Sequence, residues 1–323
     1  MASKIKKKHR PQSPELSGGA GFTFEDAVGA FYLTALLGES YAPGVESRTV
    51  YRVNFQQRNF GEPLDDVIVD FVGVSADEAR LSLQVKSSLI VSTAKSNTDF
   101  REVIRDCWLT YQGPTFRKGI DRYGAAVGHI AKDRARTFRL LCDVGRESAT
   151  TEHFEKRFAK GGNASNDLKT VKKDLVALLA IAKGSKPLES EVHEFLAHFV
   201  LIEFDFLHAG ASHSADATTR LRDCLVADQA TQAPLLWMAL CRMVRESAGR
   251  SGEFTRPRLV SEISRVVRLR SASSLRADLE KLSELARSWV ADIQNDVGGV
   301  HLERPAIAKE LETAIEKRSG PTR

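Results

Sequence analysis

The pattern of apolar and polar positions at the start of the chain predicts a helix. Thr23 and Asp26 have the spacing of a capping box, in which each side chain bonds the backbone of the other residue at a helix N-terminus. The predicted helix ends near Gly38. Its apolar stripe has helical spacing and is formed by Val28, Phe31, Tyr32, Ala35 and Leu36.

Three strands are predicted after this helix. Residues 48–56 are rich in strand-forming residues, and residues 66–74 form a nearly continuous apolar run that is typical of a buried central strand. Residues 80–86 alternate, and successive strand side chains point to opposite faces. One face therefore carries Leu81, Leu83 and Val85, whereas the other carries Ser82, Gln84 and Lys86.

A helix beginning near Asn97 and a strand at 122–130 complete the first part of the chain. We interpret residues 21–130 as an α/β domain with a central mixed sheet. Helical periodicity dominates from residue 131 onward, so the predicted fold class is an α+β or α/β domain followed by an all-α region. The helices are predicted at 134–148, 151–159, 166–182, 188–199, 215–226, 233–248, 256–268, 272–290 and 305–318, with a short strand at 200–206.

The predicted division of the chain has four parts. They are a disordered basic tail at 1–20, the α/β domain at 21–130, a helical domain at 131–304 and a terminal helix at 305–323. The composition is that of a globular protein, with 42% hydrophobic and 28% charged residues. No apolar run approaches the ~20 residues that a membrane-spanning helix needs.

Cysteine usage and the N-terminus favour a cytoplasmic protein. The four cysteines are scattered without a Cys-x-x-Cys pair, which favours reduced thiols over a zinc or disulfide framework. The basic start of the chain lacks the apolar stretch of a secretory signal. We therefore expect neither a membrane partner nor a secreted product.

The net charge of +5 is compatible with a nucleic-acid partner. Part of the excess lies in the tail from Lys4 to Arg10. This tail is either a solvated disordered arm or an arm that contacts phosphates without reading sequence.

Four polar residues suggest phosphodiester chemistry. Glu25 lies on the first helix, Asp66 opens a strand, and Gln84 and Lys86 share one face of the next strand. Oxygen ligands suit Mg²⁺ or Mn²⁺, and a lysine beside such an ion can orient water and offset charge on a phosphate. Glu25, Asp66 and Gln84 are thus candidate metal ligands, and Lys86 is the candidate catalytic lysine. Asp65 and Asp70 are lesser candidates for the metal.

The order Glu25, Asp66, Gln84-x-Lys86 resembles the PD-(D/E)xK, or restriction-endonuclease-like, superfamily. Gln84 stands where an acid is commonest, and Gln-x-Lys variants occur in its Mrr-like branch. A closer resemblance joins residues 21–28, 63–66, 83–86 and 100–108 to nuclease domains that cleave double-stranded DNA in antiphage defence. Such domains occur in CD-NTase-associated effectors and at the N-terminus of antiviral STAND NTPases.

This resemblance implies a metal-dependent double-stranded DNA endonuclease of low sequence specificity, activated by assembly into a homo-oligomer. It also implies that the chain is the effector part of a longer protein with a STAND NTPase or sensor region, because the segment from Pro305 to Lys317 resembles the helix before the nucleotide-binding strand. Two alternatives stay open. One is a catalytically degenerate nuclease fold that binds DNA or scaffolds a partner, and the other is an α-helical interaction protein.

Overall fold

The computed structural model describes residues 23–130, 132–207 and 210–270, together with 283, 284 and 287. The chain divides into two units, Met1–Leu269 and Arg270–Arg323, and the first is described below. The predicted tail at 1–20 and the predicted helix at 305–318 lie outside the described residues. So do all but three positions of the predicted helix at 272–290.

The described residues form a mixed six-stranded sheet in the order β5-β4-β3-β2-β1-β6. The pairs β6–β1, β1–β2 and β2–β3 are antiparallel, whereas β3–β4 and β4–β5 are parallel. The strands are β1 (Thr49–Phe55), β2 (Val67–Val72), β3 (Glu78–Leu89), β4 (Arg122–Ile130), β5 (Phe199–Glu203) and β6 (Glu253–Thr255).

Helices cover both faces of this sheet. A 3₁₀ helix, Gln57–Phe60, follows β1, and another, Ala227–Gln232, precedes α8. The α-helices of the described residues are α1 (Phe24–Leu37), α2 (Thr98–Gln112), α3 (Lys132–Glu147), α4 (Thr151–Phe158), α5 (Asn166–Lys183), α6 (Glu189–His198), α7 (Ser212–Cys224), α8 (Ala233–Ala248) and α9 (Arg256–Ile263).

The predicted capping box is present at the start of α1. The backbone N–H of Asp26 donates to Thr23 Oγ1 at 3.2 Å, and the Thr23 N–H donates to Asp26 Oδ2 at 2.8 Å. These bonds satisfy amide groups that have no partner within the helix. The cap fixes the first turn of α1, which carries Glu25.

Two apolar clusters lie on opposite faces of the sheet. The first packs one face, including Leu81, Leu83 and Val85 of β3, against α1, α7, α8 and α9. The second packs the other face, including Tyr123 and Ala125 of β4, against helices from α2 to α6. Strand alternation separates the clusters, and the predicted polar face of β3 belongs to the second side.

The prediction of an all-α region after residue 130 is wrong. The strand predicted at 200–206 is present as β5, which extends the parallel side of the sheet beside β4. At the opposite edge, β6 pairs with β1, with Arg52 opposite Thr255. The segment that follows the α/β part therefore completes the same sheet, because its strands supply hydrogen-bond partners for edges that β1 and β4 leave open.

Every helix in the described ranges is too short or too polar to cross a membrane.

Candidate functional site

Asp66 is the centre of a polar cluster at the junction of β2 and β3. It immediately precedes Val67, the residue that pairs with Leu83 of β3. Its Oδ2 accepts the backbone N–H of Val85 at 2.7 Å and the side-chain amide of Gln84. Only 8% of Asp66 is exposed. The carboxylate is therefore fixed by β3 rather than free to move in solvent.

Glu25 reaches the same cluster from α1, and Gln56, which is not among the four predicted site residues, joins Glu25 to Asp66. The side-chain amide of Gln56 donates to Glu25 Oε1 at 2.6 Å and lies 3.4 Å from Asp66 Oδ1. Gln56 directly follows β1, and its backbone N–H donates to Asp66 O at 3.4 Å. One nitrogen thus lies between the two carboxylates.

Lys86 completes the cluster from the same face of β3 as Gln84. It is half-buried, and its positive charge acts on the Asp66 carboxylate. Within the described residues, its ammonium group makes no hydrogen bond and no close ion pair. The ammonium group is consequently available to an anion that enters the site.

Burial shifts the titration of both acids in the cluster. The pKa of Glu25 is raised to about 7, mainly because the side chain is partly removed from water and secondly because the negative charge of Asp66 lies nearby. Burial also raises the pKa of Asp66, although the N–H of Val85 opposes this change by stabilising the carboxylate. A buried carboxylate and a half-buried one that repel each other are an unfavourable resting state, and a positive charge between them would relieve the repulsion.

Replacing Glu25 by glutamine should increase stability at alkaline pH. An ordinary glutamate releases its proton near 4.5, whereas folded Glu25 holds it up to about 7. The folded state therefore binds more protons in this window, and the stability of the natural protein falls as pH rises through it. Thermal melts should show Glu25→Gln gaining more over the natural protein at about pH 8 than at about pH 5. An equal gain at both values would contradict the raised pKa.

The lesser metal candidates, Asp65 and Asp70, are engaged elsewhere in the structure. Asp65 is buried and accepts from Arg58 at 3.0 Å. Asp70 lies between Arg52 and Arg80, at 2.7 and 2.9 Å from their Nε atoms. Neither acid shares the Gln56 amide that joins Glu25 to Asp66. Both acids act as partners for arginines that hold the strands and the loop after β1.

The oxygen donors of the cluster are of the kind that Mg²⁺ or Mn²⁺ prefers. Among the residues described, no group of three or more His, Cys, Asp or Glu side chains could hold a metal. Mg²⁺, however, needs only one or two carboxylates because it retains several waters. Glu25 and Asp66 supply two, and the oxygen of the Gln84 amide could add a third ligand. Such an ion would neutralise the repulsion between the acids and attract a phosphate to Lys86.

Sequence reasoning missed Gln56, although it occupies the middle of the cluster. Its backbone is left-handed, with φ 50° and ψ 57°. Glutamine rarely adopts this conformation, so nothing in the local sequence predicts it. Only its position at the end of the predicted strand at 48–56, before the Asp65-Asp66 pair, could have drawn attention to it.

Comparisons with known proteins name no family for this chain. No family model matches it, and no curated protein matches it. Solved structures do match. One is the Cap4 SAVED/CARF-domain containing receptor of Moraxella osloensis, at 16% identity and a TM-score of 0.40, covering 76% of this chain and 47% of that one. Another is the Cap4 receptor of Acinetobacter baumannii with the cyclic trinucleotide 3'3'3'-cAAA, at 13% identity and a TM-score of 0.41.

The chain spans about half the length of these receptors. The comparison contradicts the leading prediction of a metal-dependent double-stranded DNA endonuclease, since the matching structures are named as receptors, one of them with a bound cyclic trinucleotide. The alternative of a nuclease-like fold that binds without cleaving stays open. Membership of the PD-(D/E)xK superfamily stays a prediction, as do the homo-oligomer and the STAND NTPase region.

Proposed function

We propose that this chain is a catalytically degenerate, nuclease-like module that binds the phosphodiester backbone of double-stranded DNA through a divalent cation. The observation that carries this proposal is the convergence of Glu25, Asp66, Gln84 and Lys86, with a lysine that has no hydrogen-bond partner within the described residues. Two carboxylates repel a phosphate by themselves. With a cation between them they would become an attractive site, to which Lys86 adds a direct contact.

Two features support binding without turnover. Gln84 replaces the commonest acid, which removes one negative charge from the ligand set. Its amide is also committed to Asp66, and the amide of Gln56 occupies the space between the acids. We infer that the cation is held less tightly than in a fully acidic site. A loosely held cation positions a phosphate but activates water poorly.

Recognition would be largely independent of base sequence. A lysine and a cation contact phosphate oxygens, which carry no sequence information directly. Affinity for DNA should therefore fall as salt rises, because binding releases counterions from the duplex. The resemblance to defence nuclease domains supports a role in antiphage defence, in which the module would bring the sensor region of a longer protein to DNA.

A plasmid assay tests this proposal and also measures hydrolysis. The protein is incubated with supercoiled plasmid in Mg²⁺, Mn²⁺ or EDTA. Gels then show retention, which is the slower migration of plasmid that carries bound protein, and the form of the plasmid, which is supercoiled, nicked or linear. We expect retention with either cation, loss of retention in EDTA and no change of plasmid form. Lys86→Met should lower affinity about tenfold, since one charge-assisted contact is lost. The exposed Lys95, changed to methionine, is the matched control and should bind like the natural protein.

Two results would overturn the proposal. Cation-dependent nicking or linearisation that disappears in Lys86→Met would assign phosphodiester hydrolysis to this site. Absence of retention under every condition would remove DNA as the ligand. A parallel titration uses a cyclic triadenylate, a small ligand that also contains phosphodiester groups. It distinguishes binding of double-stranded DNA from binding of a cyclic nucleotide. Tight binding of that small ligand with no duplex binding would make the module a nucleotide receptor.

A further inference from the structure

The turn that carries Gln56 is held in an unfavourable conformation. A residue other than glycine in the left-handed region costs about 1 kcal/mol or more and persists only when its surroundings enforce it. Here the conformation aims the Gln56 amide at Glu25 and Asp66. The surroundings that enforce it therefore control the space between the two acids.

The enforcing contacts come from the loop between α8 and β6, nearly two hundred positions away in sequence. Ser251 Oγ donates to Gln56 O at 2.8 Å, and Gln57 Nε2 donates to Ser251 O at 3.1 Å. The N–H of Phe55 donates to Gly252 O at 2.9 Å. Three hydrogen bonds thus tie the turn after β1 to this loop.

The same segment also holds the helix that carries Glu25. Arg245 of α8 donates from Nε to Asp26 Oδ2 at 3.0 Å, and Asp26 belongs to the capping box that starts α1. The start of α1, which carries Glu25, and the turn after β1, which carries Gln56, are therefore both attached to α8 and the loop that follows it. A shift of this segment would move Gln56 relative to Glu25.

An amide N–H and a metal cation cannot occupy the same position between two carboxylates. The donor hydrogens of Gln56 point at the oxygens that a cation would coordinate, and a positive ion in contact with those hydrogens would be repelled. Binding of a cation thus requires the amide to withdraw. The backbone from which the amide extends is the turn that Ser251 holds, so a change in this turn would also carry the amide away from the acids.

We propose that Gln56 is a gate residue that competes with the divalent cation for Glu25 and Asp66, and that Ser251 is the positioning residue that keeps the gate closed. The inference rests on the proposed cation site. It adds a control of cation binding that does not come from the bound DNA, because Ser251 lies on the loop between α8 and β6. Events that move this loop would open the site, and events that fix it would keep the cation out.

Calorimetric titration of the DNA-free protein with Mn²⁺ tests the gate without any measurement of activity. Gln56→Gly removes the amide and tolerates the left-handed backbone, so its dissociation constant for Mn²⁺ should be about tenfold lower than in the natural protein. Ser251→Ala should tighten Mn²⁺ binding about threefold, since one neutral hydrogen bond is lost. Ser264→Ala removes a similar hydroxyl bond, to Val260 O, and should leave affinity unchanged.

Unchanged or weaker Mn²⁺ binding by Gln56→Gly would overturn the gate and make Gln56 a supporting group instead. Should that variant not fold, Gln56→Asn also accepts the left-handed backbone and shortens the side chain, and the gate predicts tighter binding for it as well. Absence of Mn²⁺ binding in every variant also rejects the gate. DNA retention measured in EDTA and in Mn²⁺ reports on the proposed function separately, so the two failures are distinguishable.

Discussion

Replacing Asp70 with alanine is expected to lower the free energy of unfolding by about 3 kcal/mol. Asp70 is only 3% exposed and accepts from Arg52 on β1 and from Arg80 on β3. Both arginines are its direct cross-strand partners, so one carboxylate joins three adjacent strands. Its removal leaves two half-buried guanidinium groups without their shared acceptor. This loss is at the lower end of the range for breaking a buried ion pair, because both arginines keep partial contact with water.

Thermal denaturation measures this effect, and a drop of roughly 6–12 °C is expected for a unit of this size. Asp77→Ala is the matched control, since Asp77 also pairs with an arginine but has a side chain that is 44% exposed. Its loss should cost less than about 1 kcal/mol. Mn²⁺ affinity should be unchanged in Asp70→Ala. A large loss of Mn²⁺ affinity without loss of stability would instead place Asp70 in the cation site.

Replacing Asp66 with asparagine is expected to weaken Mn²⁺ binding by about 100-fold or more and to remove cation-dependent DNA retention. The change deletes one of two carboxylates while keeping the side-chain shape and one oxygen for the N–H of Val85. The electrostatic attraction for a divalent ion falls, yet the neutral form also avoids repulsion from Glu25. We therefore expect a folded protein whose thermal stability is close to that of the natural chain.

The neighbouring Asp65→Asn variant is the control for this experiment. Asp65 is equally buried but accepts from Arg58 rather than from Gln56. It should lose stability through the broken ion pair and keep its Mn²⁺ affinity within a few-fold. Equal losses of Mn²⁺ affinity in the two variants would show that both carboxylates hold the ion, and the assignment to Asp66 alone would be wrong.

Local patterns predict most elements of the described fold. The capping box at Thr23 predicts the start of α1, and the run at 122–130 coincides with β4. The helix predicted at 233–248 coincides with α8. These signals are local, because capping and side-chain periodicity act over a few residues. Beyond residue 130, β6 could not be predicted, since its three residues become a strand only by pairing with β1.

The candidate site could be predicted only in part. Strand alternation correctly places Gln84 and Lys86 on one face of β3, and the Asp66 side chain lies beside Gln84. Gln56 could not be found in this way, because its role depends on a left-handed turn that Ser251 holds from 195 positions further along the chain. The roles of Asp65 and Asp70 also depend on which arginines the fold brings to them.

The most direct test of the central claim is the affinity of the natural protein for a labelled DNA duplex in Mn²⁺ and in EDTA. Fluorescence anisotropy measures binding, and a denaturing gel of the same samples measures cleavage. We predict tight binding in Mn²⁺, at least tenfold weaker binding in EDTA and a duplex that stays full-length. Equal affinity in both solutions would contradict a cation-bridged site at Glu25 and Asp66, and shortened strands in Mn²⁺ would contradict binding without turnover.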